Sequence, residues 1–185
     1  DQLPIRDQLA LIRAFQPQAK TVGLLYTVGE INSQVQAEQY ELLAAEYGFD
    51  VVSSTVTGGG DVALALPGLL ARVDCLSMLT DNTVVQYLDV VLDHADAAGV
   101  PVYGSEIEQV KKGCLAAAGI DYLALGRQTG LIAARVLEGE AAGDIPFEVM
   151  QDSALFYNAV TMQTLHLELP SQLSGSIRDV NENPQ

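Results

Sequence analysis

The feature that most constrains this chain is a regular alternation of short apolar runs with longer amphipathic stretches. Residues 5–15 place Ile5, Leu9, Ile12 and Phe15 at helical spacing. Val22-Gly23-Leu24-Leu25-Tyr26 follows as a short, continuous apolar run, the pattern of a strand covered on both faces. A helix is expected over 33–47, carrying Val35, Tyr40, Leu43 and Tyr47, with Gly48 as its C′ residue. Asp50 to Val56 reads as the next strand. Gly58-Gly59-Gly60 reads as a flexible connection into a helix that Asp61 caps and Pro67 kinks.

The pattern then repeats. It predicts a strand over 75–79, one helix over 83–98 closed by Gly99, a strand at Pro101-Val102-Tyr103 and a short helix over 105–112. A fifth strand runs from Leu115 to Ile120, and a strong helix over 122–138 ends at Gly139. Phe147 to Met150 and Leu155 to Tyr157 read as extended, 159–166 as a last short helix, and the polar tail from Ser171 as loosely held. Strand–helix–strand units of this length enforce right-handed crossovers. The expected fold is therefore α/β, a doubly wound parallel sheet with helices on both faces.

Charge and motifs remove several classes of function. The net charge is −15, and no basic run exceeds Lys111-Lys112, so nucleic acid and anionic lipid are repelled as partners. No stretch approaches the roughly 20 apolar residues of a membrane span. The opening Asp1-Gln2-Leu3-Pro4-Ile5-Arg6 is not a signal peptide, and a processed export signal leaves no trace. With strand order 2-1-3-4-5, Cys75 and Cys114 lie two strand spacings apart, roughly 9–10 Å. That is beyond disulfide reach, so both are expected to be free thiols. Neither fits a metal spacing, and no metal or cofactor is expected. G-x-G-x-x-G, the phosphate-binding G-x-x-x-x-G-K-[ST] and G-x-S-x-G are all absent. His94 and His166 sit on expected helices without a nucleophile, and Asp89, Asp93 and Asp96 share one face as solvated charges do. The chain is not expected to be an enzyme.

In open α/β sheets a ligand binds beyond the carboxyl ends of the strands, where the strand order reverses. Here that point lies between the first and third strands. It gathers the segment from Tyr26 through Glu30, Asn32 and Ser33, and the segment Thr80-Asp81-Asn82-Thr83. Both lead into helices, whose free N–H groups suit a carboxylate, while Glu30 or Asp81 suits an ammonium. A small zwitterion meets both. Asn32, Ser33, Asp81 and Asn82 are also good N-cap residues, and would stand there with no ligand at all.

The run from Pro101 to Gly130, Pro-Val-Tyr-Gly-Ser-Glu-Ile-Glu-Gln-Val-Lys-Lys-Gly-Cys onward, resembles a family signature. The family is the ABC transporter substrate-binding proteins related to tryptophan and other aromatic amino acid importers. Ala133 to Glu140, Asp144-Ile145-Pro146, Gly29-Glu30-x-Asn32-Ser33 and Thr80 to Thr83 match in the same order. The resemblance covers the chain up to about Pro170. Thr27-Val28 departs from it where relatives often carry Asn-Pro, and Cys114 stands where a small residue is usual.

The resemblance implies a Rossmann-like lobe of a type I periplasmic binding protein, with residues 1–121 as the second ligand-binding lobe and the first lobe absent. It implies that 122–170 crosses between the lobes or returns to them, and that 171–185 is a flexible tail. It places ligand contacts on Tyr26, Glu30, Asn32, Ser33, Thr80, Asp81, Asn82 and Thr83, with Ser105 and Glu106 lining the cleft. An aromatic wall would come largely from the other lobe, since only Tyr26 and Tyr103 end strands on the right side. The implied partners are a small amino-acid-like ligand and an ABC permease. The implied location is extracytoplasmic, with any lipid anchor lying before residue 1. Surface that the missing lobe should cover favours a homodimer of this portion. On the residues alone, two readings of the same fold stay open: a ligand-sensing domain of a regulator, or a flavodoxin-like enzyme domain.

Overall fold

The computed structural model describes residues 3–120, 122–148 and 153–182. In chain order they form α1 (Ile5–Phe15), β1 (Thr21–Thr27), α2 (Ile31–Leu43), β2 (Asp50–Val56), α3 (Val62–Leu70) and β3 (Cys75–Ser77). Next come α4 (Asn82–Gln86), α5 (Leu88–Ala98), β4 (Val102–Tyr103), α6 (Ile107–Lys112), β5 (Ala116–Ile120) and α7 (Tyr122–Leu137). The chain closes with β6 (Ser153–Tyr157), α8 (Ala159–Thr164) and β7 (Ile177–Asp179). The sheet order is β2-β1-β3-β4-β5-β6-β7, and the first five of these pair in parallel, as the alternation predicts.

The period of two along β1 divides the core. Val22 and Leu24 point to the α1/α2 face, where they meet Leu9, Ile12 and Tyr40. Leu25 points to the other face, among Leu66, Met78 and Val91. Gly23 shares that second face because there is no room for more. A Cβ at this position would lie 2.6 Å from Leu76 Cδ2. Gln8 crosses the α1/α2 face as a buried polar strut. Its amide donates to Gly104 O at 2.9 Å and accepts from Ala118 N–H at 2.7 Å, tying α1 to the end of β4 and the middle of β5. Cys75 and Cys114 are buried free thiols, as the strand order requires. Burial pushes both thiols well above the ordinary value.

Three features differ from the sequence reading. The helix expected over 83–98 is two helices, broken at Tyr87, whose backbone leaves the helical region (φ −104°, ψ 24°). The Tyr87 ring fills the space over Gly59, where a Cβ would come within 2.0 Å of it. The Gly58–Gly60 connection is accordingly a short 3-10 turn, Gly59–Asp61. Second, the sheet is not wholly parallel, because β6 runs antiparallel to β5, with Ile120 opposite Ser153. Helix α7 has no buried side chain, so it does not lie on the sheet as a crossover helix does. The chain therefore re-enters at the end where β5 left, which only an antiparallel strand can do. Third, the tail expected from Ser171 onward contributes β7, paired in parallel with β6, with Ile177 buried in the core. Residues 153–182 thus belong to the same sheet as 3–120. Of the extended segment expected at 147–150, Val149 and Met150 lie outside the described residues, and Phe147 and Glu148 form no regular element.

Candidate functional site

The loops after β1 and β3 meet at the carboxyl ends of the parallel strands, where the strand order reverses. They are braced against each other. Asp81, fully buried, accepts the backbone N–H of Thr27 at 2.7 Å and its hydroxyl at 2.9 Å. The same carboxylate caps α4 by accepting Val84 N–H at 2.8 Å. Burial by itself raises the pKa of Asp81, but the bonds from Thr27 and Val84 outweigh it and hold the carboxyl below its ordinary value. The buried Ser33 Oγ faces this carboxylate and adds to the lowering, without a partner in full bonding geometry among the described residues.

Glu30 completes the brace from the other side. One carboxylate oxygen accepts Asn82 N–H at 2.8 Å and Asn82 Nδ2 at 3.0 Å; the other accepts the Thr83 N–H and hydroxyl at 3.0 Å each. Two carboxylates thereby satisfy the amides of Asn82, Thr83 and Val84, which the first turn of α4 leaves without helical partners. Asn32 Nδ2 donates to Thr80 O at 2.5 Å. Gln36 accepts Thr80 N–H at 2.9 Å and returns a bond to the Thr80 hydroxyl.

Beside this brace lies a cleft of about 370 Å³. Of the ten residues expected at the site, Thr80, Asp81, Asn82, Ser105 and Glu106 line it. Glu30, Asn32, Ser33 and Thr83 stand behind them, holding the lining loops rather than facing the cavity, and Tyr26 packs on the α1/α2 core. Tyr103, expected beside Tyr26 on the cleft side, is fully buried instead. Its hydroxyl donates to Gln16 Oε1 and its ring meets Phe15 edge-on, with centroids 6.5 Å apart. The aromatic lining is Tyr122, half-exposed at the start of α7.

Sequence reasoning missed the apolar lining of the cleft, formed by Leu3, Pro4, Val85, Ile120 and Tyr122. It also missed two buried glutamines. Gln36 holds Thr80, and Gln109 brackets Ser105, accepting its N–H and donating to its hydroxyl, both at 2.9 Å. The available signal was position: Gln36 precedes the buried Tyr40 by one helical turn, and Gln109 stands four residues after Ser105. The cleft lining is mixed, with hydroxyls and carboxylates beside aliphatic and aromatic carbon. No lysine or arginine among the described residues lines it. Among the described residues no three His, Cys, Asp or Glu side chains are grouped to hold a metal ion, and no helix is long and apolar enough to cross a membrane.

Comparison with known proteins gives a consistent result. The family described as ABC transporter substrate binding protein matches residues 1–180. A tyrosine-binding protein of Clostridioides difficile is 32% identical over 168 residues, which make up 91% of this chain and 49% of the relative. An ABC domain from Streptococcus pneumoniae, solved in complex with L-Trp, superposes with a TM-score of 0.85 at 28% identity, covering 96% of this chain and 60% of that one. The ligand-free, open structure of a substrate-binding protein with adhesive properties from Clostridium difficile gives 0.81 at 33% identity, covering 97% and 60%. The chain spans about half the length of the curated relatives it matches.

Proposed function

The chain belongs to the ABC transporter substrate-binding protein family, and from that premise we propose that it captures an aromatic L-amino acid for import. The observation that carries this reading is the mixed polar and apolar cleft at the reversal of strand order. Thr80, Ser105 and Glu106 offer polar contacts, and Leu3, Pro4, Ile120 and Tyr122 offer apolar surface. An amino acid with a large apolar side chain needs both. The relatives add chemical support: one is a tyrosine-binding protein and another was solved with L-Trp.

In this reading the described sheet is one lobe, and a second lobe closes over the ligand. Two facts support it. The chain spans about half the length of its relatives, and α7 projects with Leu123, Leu131 and Leu137 exposed rather than packed on the sheet. The ligand docks first on the braced loops, closure buries it, and the closed form is recognised by an ABC permease at the outer face of the membrane. The cleft is suited to capture rather than chemistry. Ser105 is bracketed by Gln109, an amide that cannot take up a proton, so the group bonded to the serine hydroxyl is not a base.

Calorimetric titration of the full-length gene product against the standard amino acids tests this reading. Tyrosine or tryptophan should bind with a dissociation constant of about 1 μM or tighter, near −8 kcal/mol. Binding should weaken sharply when these 185 residues are titrated alone. No binding of any amino acid by the full-length product would overturn it.

A further inference from the structure

We propose that Glu106 is the residue that selects for the ligand's ammonium group, an inference that rests on the amino-acid reading above. The argument is one of elimination among carboxylates. Among the described residues three stand at or beside the cleft: Glu30, Asp81 and Glu106. Both oxygens of Glu30 are taken by the amides and side chains of Asn82 and Thr83. Both oxygens of Asp81 are taken by Thr27 and Val84. A carboxylate that has already accepted three or four hydrogen bonds has little capacity left for an ammonium, and turning it toward one would strip the caps from α4. Glu106 lines the cleft, and its carboxylate has no hydrogen-bond or ion-pair partner among the described residues.

Its backbone, by contrast, is fixed. Residues 105 and 106 are clamped by the mutual bonds of Ser105 and Gln109, and Glu106 O accepts Val110 N–H. On the other side they rest against β5 in close contact: a Cβ at Gly119 would sit 3.4 Å from Glu106 Cα. A rigid backbone carrying an unengaged charged group is what pre-organised recognition of an opposite charge needs. Among the described residues no cation lines the cleft to neutralise Glu106, so a ligand has to bring the positive charge. The neighbouring Thr80 and Ser105 hydroxyls keep a proton each to donate to the ligand's carboxylate, since each already accepts a bond from a glutamine amide. The specificity is for a zwitterion over the same molecule without its amine.

The test compares L-tyrosine with 3-(4-hydroxyphenyl)propionate, which lacks only the ammonium, on the full-length gene product and its Glu106→Gln variant. The wild type should prefer tyrosine by about a hundredfold or more, the size expected when one partner of a desolvated charge pair is removed. In Glu106→Gln that preference should fall to about tenfold or less, with the propionate bound as well as or better than by the wild type. The variant's unfolding midpoint should match the wild type, because no folded-state bond is lost. If the wild type prefers tyrosine and Glu106→Gln keeps the full preference, the inference is overturned while the capture function stands. If the wild type binds neither tyrosine nor any other amino acid, the functional reading fails and this inference fails with it.

Discussion

The carboxylate of Asp81 takes both the backbone N–H and the hydroxyl of Thr27, at 2.7 and 2.9 Å, and so locks the loop after β3 to the last residue of β1. The carboxyl ends of the two strands are thereby held in one geometry before any ligand arrives. The link is buried, so its energy is less screened than that of a surface pair.

Asp81→Asn should therefore cost stability in a pH-dependent way. Asparagine keeps the size but presents an NH₂ group to donors, leaving a Thr27 or Val84 N–H unpaired, for a loss of about 2 kcal/mol near neutral pH. The folded-state pKa of Asp81 lies below its unfolded value. Its contribution is thus complete above the ordinary aspartate range, about pH 4, and is lost as pH falls through the lower folded value. Asp61 and Asp74 are shifted the same way, by the Thr57 hydroxyl and by the Lys20 N–H respectively, so the informative quantity is a difference. Thermal midpoints of wild type and variant measured from pH 7 down to pH 2 should converge in acid. Curves that stay parallel would show that Asp81 does not hold this charge.

Glu30 and α4 make a second case in which a residue outside the cleft governs its lining. Glu30→Ala removes the acceptors of Asn82 and Thr83 and frays the first turn of a five-residue helix, while the Asp81 cap on Val84 remains. The expected loss of global stability is about 1 kcal/mol, typical of a lost cap. Hydrogen exchange at the Asn82 and Thr83 amides should accelerate by about an order of magnitude, with tyrosine affinity reduced because Asn82 lines the cleft. Unchanged exchange at these two amides would mean that Glu30 is not their cap in solution.

These cases also show where the sequence is legible. β2 occupies the very run expected, Asp50 to Val56, and Gly48 and Gly99 stand at left-handed positions (φ 73° and 66°) where helices were expected to stop. Such features follow from local pattern, and the location of the candidate cleft follows from strand order. The roles of the carboxylates do not. Glu30 meets its partners 52 and 53 residues away and Asp81 meets Thr27 across 54, so which acid is consumed and which is left open depends on tertiary contacts that no periodicity reports. β7 escaped for a related reason. Ile177 is one of few apolar residues in a polar tail, with Leu173 and Val180, and only its pairing with β6 makes a strand of it.

Arg13 offers the sharpest separation of stability from binding. It sits near the end of α1, away from the cleft, and its guanidinium gathers carbonyls from two segments of chain. Nε and Nη2 donate to Tyr47 O at 3.0 and 2.9 Å, Nη2 to Gly48 O at 3.0 Å, and Nη1 to Pro17 O and Ala19 O at 2.8 Å each. Its Cζ lies 3.9 Å from the centroid of the Phe49 ring. These bonds fix the turn after α1 and the turn before β2, so the N-terminal ends of both β1 and β2 depend on one side chain. Arg13→Ala leaves several carbonyls without partners and should cost about 3 kcal/mol, lowering the melting midpoint by roughly 5–10 °C for a domain of this size. Arg13→Lys should recover little of that, because a single ammonium cannot span a planar fork of five donors. Tyrosine affinity measured well below the midpoint should be unchanged in both variants. A large loss of affinity at a temperature where Arg13→Ala is still folded would show instead that the braced loops feel the far end of the sheet.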